Sequence, residues 1–233
     1  MEFSGLEKLS LVDFDDNLTA TLFMAGCPFR CPFCHNGDLV LHPETAEIIP
    51  FQEIMDYLTK RRGVLDAVCI TGGEPTLMPD LEEKIRAIRK LGYLIKLDSN
   101  GCRPEVLKDL VSKGLIDYIA MDIKNSLGKY ALTCGVEVDL EKIQESIRFI
   151  MSCGIGYEFR TTIIDGFHDY SDFDKMGKLI DGANRYYLQK YVDSPNCIKH
   201  SFREISPQKA KEFGAIIKAY VKFVGFRGYE IND

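Results

Sequence analysis

The sequence predicts an α/β fold, a parallel sheet curved into an incomplete (βα)6 TIM-like barrel with short N- and C-terminal extensions. Three observations predict it. Apolar runs of strand length alternate with amphipathic helical stretches, the pattern of parallel strands joined by right-handed crossovers. Six such units are present, whereas a closed eightfold barrel takes about 250 residues, so the barrel is open along one side. The 233 residues, 45% of them hydrophobic, can bury one core without disulfides. The expectation is a single domain over 1–233, with its core at about 18–192 and a C-terminal extension at about 193–233.

The elements follow in order. After a polar N-terminal stretch, LTATLFMAG (18–26) is a buried strand ending at Gly26, and a cysteine-rich loop begins at its C-terminal end. FQEIMDYLTKRR (51–62) is helical, DAVCIT (66–71) a strand, LEEKIRAIRKL (81–91) a helix and YLIKLD (93–98) a strand. The series continues with a helix over 104–114, a strand at 117–123, a helix over 140–154, a strand at 157–164, a helix near 172–180 and a strand at 186–192. The tail, 206–231, opens on Ser-Pro, runs through a helix and ends in a short apolar strand or extended segment. Ile143, Ile147 and Ile150 lie at helical spacing and read as barrel packing.

A net charge of −6 argues against a nucleic-acid partner, which needs clustered Lys and Arg. The N-terminus lacks a basic start followed by an apolar run, and no stretch approaches a membrane span; the expectation is a cytoplasmic protein with no membrane partner. Of eight cysteines, three crowd into 27–34, while Cys69, Cys102, Cys134, Cys153 and Cys197 are scattered and read as small core residues. That is not a secreted disulfide framework; a close trio in a reducing compartment points to metal or cluster ligation. His42, His168 and His200 lie in polar or turn-like segments without ligand spacing and read as solvated surface.

In GCPFRCPFCHN, Cys27, Cys31 and Cys34 follow a C-x3-C-x2-C spacing. Three thiolates can hold three irons of a cubane, leaving the fourth open to a chelating ligand. A structural zinc site would use paired ligand sets and four closed positions, and His35 is poorly placed to complete one. The segment VCITGGEP then runs a buried strand into Gly72, Gly73, Glu74 and Pro75, where paired glycines free the backbone to approach a ligand, or make an ordinary βα turn. Asp122 and Lys124, two apart on one strand, share a face, and Arg160 lies inside the next strand. Unpaired charges there would be costly. A zwitterionic amino acid would satisfy all three, its ammonium on Asp122 and its carboxylate on Lys124 and Arg160; an internal ion-pair cluster is the alternative.

The cysteine spacing resembles that of the radical S-adenosylmethionine superfamily. The longer string of Gly26, Cys27, Cys31, Phe33, Cys34 and Asn36 resembles the G-C-x3-C-x-[YF]-C-x-N signature of glycyl-radical-enzyme activating proteins. The resemblance implies one [4Fe-4S] cluster on Cys27, Cys31 and Cys34, and S-adenosylmethionine as cofactor. It implies that Gly72, Gly73 and Glu74 contact the methionine amino group and that Asp122, Lys124 and Arg160 serve the methionyl moiety. Ser99, in YLIKLDSNG, stands where the family's D-T-N-G segment contacts the ribose, while Asp98 and Asn100 could instead shape the turn. Gln189 stands on the last strand, where a pyruvate formate-lyase activating enzyme has a histidine contributing to the ribose site, and is the candidate cofactor contact on the adenosine side.

The implied activity is reductive cleavage of the cofactor to a 5'-deoxyadenosyl radical, with hydrogen abstraction from a glycine of a partner glycyl radical enzyme. No catalytic side chain beyond the cluster and the cofactor is expected. YLQKY, the closing KAYVKFVGFRG and the compact length point by resemblance to anaerobic ribonucleoside-triphosphate reductase as partner, with flavodoxin or ferredoxin as reductant. Only 37 residues (35–71) separate Cys34 from Gly72, too few for a ferredoxin-like insertion, so a single cluster is expected. Activation of pyruvate formate-lyase or another glycyl radical enzyme is the alternative. So is a small-molecule radical enzyme such as carboxydeazaguanine synthase, or a passive iron-sulfur or zinc module.

Overall fold

In the computed structural model, which describes residues 2–230, one eight-stranded sheet runs in sequence order. The six expected strands are β2 (Thr19–Met24), β3 (Ala67–Gly72), β4 (Leu94–Ser99), β5 (Tyr118–Asp122), β6 (Gly156–Ile163) and β7 (Arg185–Lys190), each parallel to the next. Two more flank them. β1 (Phe3–Ser10) pairs antiparallel with β2, and β8 (Phe223–Arg227) extends the sheet parallel to β7. The polar N-terminal stretch is therefore a strand; as an edge strand it buries only Phe3 and Ser10, so it lacks the apolar run of an interior strand. β8 realises the apolar tail, whose last residue, Ile231, lies outside the described residues. Among the described residues β8 does not pair with β1, so the sheet curves as an open barrel.

The crossovers carry α1 (Gly37–Leu41), α2 (Phe51–Lys60), α3 (Leu81–Arg89), α4 (Pro104–Ser112), α5 (Tyr130–Cys134), α6 (Leu140–Ser152), α7 (Tyr170–Leu179) and α8 (Pro207–Lys218). Local chemistry sets several starts. Asp139 accepts from the N–H groups of Glu141 and Lys142 at α6, Asp169 and Asp172 form a reciprocal capping box at α7, and Ser206 caps α8 ahead of Pro207. Each such cap is worth about 1 kcal/mol. The apolar stripes of these helices, including Ile54, Ile85, Leu107, Ile143, Ile147 and Ile150, are fully buried.

Strand alternation divides the interior in two. On β4, Ile95 and Leu97 share one face, and Lys96 and Asp98 the other; on β6, Tyr157 and Phe159 alternate with Glu158 and Arg160. The charged faces meet inside the barrel. Toward the N-terminal ends of the strands, Glu158 accepts Nη1 and Nη2 of Arg227 at 2.6 and 2.9 Å. The loop after β1 adds Asp15, which accepts from the Tyr187 hydroxyl at 2.8 Å and from Arg227 Nη2 at 3.2 Å, and Phe14, whose ring lies 5.1 Å from that of Tyr118.

Candidate functional site

The cysteine loop leaves β2 at the C-terminal end of the sheet and is fastened from three directions. From the next βα loop, the N–H groups of Gly73 and Glu74 donate to Met24 and Gly26 carbonyls at 2.7 and 2.8 Å, and Asn36 Nδ2 donates to the Gly72 carbonyl at 2.7 Å. From α5, the Cys134 carbonyl accepts the Arg30 N–H at 2.8 Å. From the segment after β7, the Lys199 and Ile198 N–H groups donate to Pro32 and Cys34 carbonyls at 2.7 and 3.3 Å. A Cβ on residue 73 would stand 2.0 Å from the Gly26 carbonyl oxygen, so only glycine permits this approach.

Beside the loop opens a cavity of about 170 Å3. It is lined by Cys27, Cys31 and Cys34 on one side, and by Gly72, Gly73, Ser99, Asp122, Lys124 and Arg160 elsewhere. One loop and four strands thus bring together most residues singled out from the sequence. Thr71, Asp98, Asn100 and Thr162 line it too. The inward period-2 face of β3, β4 and β6 carries the signal that would have added Thr71, Asp98 and Thr162.

Two donors approach Cys27 Sγ, the Phe29 N–H at 3.4 Å and Asn100 Nδ2 at 3.7 Å. Burial, with Glu74 nearby, pushes the Cys27 thiol up to about 12, and burial also raises Cys34. Among the described residues no three His, Cys, Asp or Glu side chains close on a single metal ion. The thiols share a wall of the cavity, and no other cysteine lines it. That donor set fits a multi-iron cluster, to which each of the three residues would give one thiolate.

The charged residues form a chain. Arg160 Nε donates to Asp122 Oδ1 at 2.5 Å and Nη2 pairs with Asp98 Oδ2 at 2.9 Å, while Lys124 pairs with Asp122 at 2.9 Å and Lys96 with Asp98 at 2.7 Å. Burial alone would raise the Asp122 carboxyl, but the Arg160 guanidinium and Lys124 ammonium outweigh it and hold it well below the usual carboxylate range. The internal ion pairing left open as the alternative is present, because neighbouring strands supply opposite charges in register: Asp122 faces Arg160 across β5 and β6. Capacity for a ligand remains. Lys124 commits one of its three donors to Asp122, and Arg160 commits only Nε and Nη2 to carboxylates.

Glu74 is fully buried and stands behind the cavity wall. Its Oε1 accepts from the N–H and hydroxyl of Thr76 at 3.2 and 2.6 Å and from the Ser99 hydroxyl at 2.9 Å, and Oε2 accepts the Asn100 N–H at 2.7 Å. It ties the βα loops of β3 and β4 together. Gln189, on β7, is not among the lining residues. His168 departs from the solvated reading: it is 3% exposed, accepts the Ile164 N–H on Nδ1 at 3.2 Å and places Nε2 2.9 Å from the Lys124 carbonyl. Its ring fills the turn between β6 and α7, satisfied by backbone. His42 and His200 are exposed, and of the scattered cysteines Cys69, Cys134 and Cys197 are buried while Cys102 and Cys153 are half-buried.

A family model described as the Radical SAM superfamily matches residues 21–180. A proposed glycyl-radical enzyme activating enzyme of Methanocaldococcus jannaschii is 31% identical over 96% of this chain and 95% of its own length. The pyruvate formate-lyase-activating enzyme of Staphylococcus aureus is 33% identical over 42% of this chain and 41% of its length. Among solved structures, Streptococcus suis SuiB bound to S-adenosylmethionine superposes with a TM-score of 0.66 at 15% identity, covering 88% of this chain and 51% of that one. A domain of the pyruvate-formate lyase-activating enzyme of Bacteroides vulgatus gives 0.58 at 19% identity, covering 70% of this chain and 99% of that one. At such identities the two structures speak to the fold alone.

Proposed function

The chain belongs to the Radical SAM superfamily, whose enzymes use a [4Fe-4S] cluster and S-adenosylmethionine, and on that footing we propose that it activates a glycyl radical enzyme. The observation that carries this reading is the cavity itself: three thiols of one loop, a paired-glycine backbone and a mixed-charge cluster line the same space. When bound, the cluster supplies one electron to cleave S-adenosylmethionine reductively, giving methionine and a 5'-deoxyadenosyl radical that takes a hydrogen atom from a glycine of the partner.

The chain's own residues hold and orient. Cys27, Cys31 and Cys34 would carry the cluster, and the backbone at Gly72 and Gly73 would receive the methionine ammonium. Lys124 and Arg160 would bind its carboxylate, with Asp122 fixing both cations in place and offering its charge to the ammonium. The Ser99 hydroxyl, already oriented by Glu74, would serve the ribose. Glu74 acts from behind, through the loops it ties.

As partner we propose anaerobic ribonucleoside-triphosphate reductase. Of the strings behind that resemblance, YLQKY lies on β7 and its end, and KAYVKFVGFRG runs from the end of α8 through β8, the strand that pairs with β7 at the open side of the sheet. Flavodoxin or ferredoxin would be the reductant, in the cytoplasm; no helix among the described residues is long and apolar enough to cross a membrane. The similarity to the Staphylococcus aureus enzyme supports a second reading, activation of pyruvate formate-lyase.

Anaerobic reconstitution tests the proposal. The protein should take up about four irons through Cys27, Cys31 and Cys34, and Ala at any of the three should abolish uptake. With reductant, S-adenosylmethionine and the reductase, electron paramagnetic resonance should show a glycyl radical doublet, with 5'-deoxyadenosine formed about one for one. Stoichiometric zinc without iron-sulfur absorption would overturn the cluster assignment. A doublet on pyruvate formate-lyase alone would transfer the partner, and turnover of a small molecule with no protein radical would end the activating reading.

A further inference from the structure

Asn100 lines the cavity, yet the activity proposed above gives it no part. It follows β4, is 5% exposed, and has a partner on each side of its amide. The Cys102 N–H donates to Oδ1 at 2.9 Å, which sets the orientation of the amide and turns Nδ2 the other way. Nδ2 faces the cysteine loop, 3.7 Å from Cys27 Sγ and within hydrogen-bond reach of the larger sulfur atom.

Both partners are held independently of this contact. On the β4 side, the Asn100 N–H donates to Glu74 Oε2 at 2.7 Å, the Gly101 N–H to Ser99 Oγ at 3.0 Å, and Ser146 Oγ to the Gly101 carbonyl at 2.7 Å. Gly101 adopts φ +77°, and a Cβ there would stand 2.1 Å from Met121 Cε, so the turn admits only glycine. On the β2 side, Arg30 Nη1 donates to the Cys27 carbonyl at 2.5 Å, and the Phe29 N–H to Cys27 Sγ at 3.4 Å. Two separately anchored loops thus set the amide against the sulfur.

The chemistry of the amide limits what it can do there. The atom facing the sulfur is a donor only, and the oxygen is engaged by Cys102, so Asn100 does not take an iron itself. It can donate to a sulfur that holds one. Donors to ligand sulfurs stabilise the more negative, reduced state of an iron-sulfur cluster and so raise its potential. Reduction comes before cleavage of the cofactor, so the contact bears on the step that starts the reaction.

We infer that Asn100 is a positioning residue for the cluster: by donating Nδ2–H to the Cys27 sulfur it makes one-electron reduction easier, without being a ligand. The inference rests on the proposed role of Cys27 as a cluster ligand.

The test compares reconstituted wild-type protein with Asn100→Ala and Asn100→Asp, reading iron content and then midpoint potential by redox titration followed by electron paramagnetic resonance. All three should hold about four irons. Removing the donor in Asn100→Ala should make reduction about ten-fold less favourable, a potential about 59 mV lower for a one-electron couple. Asn100→Asp keeps an acceptor for the Cys102 N–H, and so the turn, but loses the donor; its potential should fall at least as far. A second reading needs no variant to fold: with asparagine labelled by 15N in the side-chain amide, electron spin echo modulation of the reduced wild-type cluster should show a 15N coupling. The inference is overturned by an unchanged potential in Asn100→Ala, by a wild-type potential in Asn100→Asp, which would reduce Asn100 to a turn former, or by the absence of the 15N coupling. Loss of iron from both variants overturns it too, since Asn100 would then be needed for assembly. If the wild-type protein assembles no cluster, the reading beneath the inference has failed, and the inference goes with it.

Discussion

Replacing Arg160 with Ala removes the residue that joins the two carboxylates of the cavity. Its side chain is 13% exposed and makes one charge-assisted hydrogen bond, Nε to Asp122 at 2.5 Å, and one ion pair, Nη2 to Asp98 at 2.9 Å. At about 1.5–3 kcal/mol each, the gross loss is about 3–6 kcal/mol. Neither carboxylate is left bare, because Lys96 stays 2.7 Å from Asp98 and Lys124 2.9 Å from Asp122. The full penalty of an uncompensated buried charge is therefore avoided, and the lower end, about 3 kcal/mol, is expected. For a chain of this length that is a fall in Tm of about 6–12 °C. Thermal and urea unfolding of the metal-free protein measure it. A pH series adds a second reading. Burial opposes ionisation of Asp122, but Arg160 and Lys124 depress its folded pKa, so the stabilisation it gives is present above the unfolded value of about 3.9 and is lost as pH falls toward the folded one. Asp98 is depressed in the same direction, against burial, by Arg160 and Lys96. Removing Arg160 should make the acid limb of the stability curve shallower. A Tm within about 2 °C of wild type, or an unchanged acid limb, would refute the reasoning.

Gly73→Ala should lose iron on reconstitution even though residue 73 touches no sulfur, because its Cβ would stand 2.0 Å from the Gly26 carbonyl oxygen at the root of the cysteine loop; full iron content in the variant would count against that packing. Glu74→Ala should destabilise by about 2–5 kcal/mol in urea unfolding, since it strands the buried Asn100 N–H and frees Thr76 and Ser99. It should also weaken S-adenosylmethionine binding through the loosened Ser99, and a loss of affinity without loss of stability would mean Glu74 meets the ligand itself.

The interior strands were legible because burial on both faces leaves near-continuous apolar runs, and the cysteine loop because three thiols crowd into eight residues, a spacing suited to cluster ligation. β1 was not, since an edge strand with a half-exposed face carries no such run. The charges of β5 and β6 stood out in apolar strands, but their partners did not. Lys96 and Asp98 pair along one strand, Asp98 and Arg160 across the barrel, and only the sheet register puts them together. The alternatives left open for Asp98 and Asn100 divide: Asp98 sits in the ion chain, while the Asn100 side chain both accepts the Cys102 N–H, shaping the turn, and reaches toward Cys27. Cys134 read as a core residue and is fully buried, but nothing in sequence brings the end of α5 to Arg30 of the cysteine loop. That meeting depends on a five-residue helix too short to carry a periodic signal.

The interior charges explain why the candidate site lies at one end of the barrel. Helices seal the outer, apolar face of the sheet, so it carries the core. The inner face is polar along the axis, with Arg227 and Glu158 toward one end and Lys96, Asp98, Arg160, Asp122 and Lys124 toward the other. An axis of this kind is stable only where each charge meets its opposite, and the pairings supply that before any ligand binds. At the N-terminal end Asp15 and Phe14 from the loop after β1 occupy the space against Arg227, Tyr187 and Tyr118. The C-terminal end is left to the cavity, where the last residues of the chain of charges share a wall with the thiols. A zwitterion bound there, as proposed, would exchange water for donors already fixed by their neighbours, so little ordering would be left for the binding step.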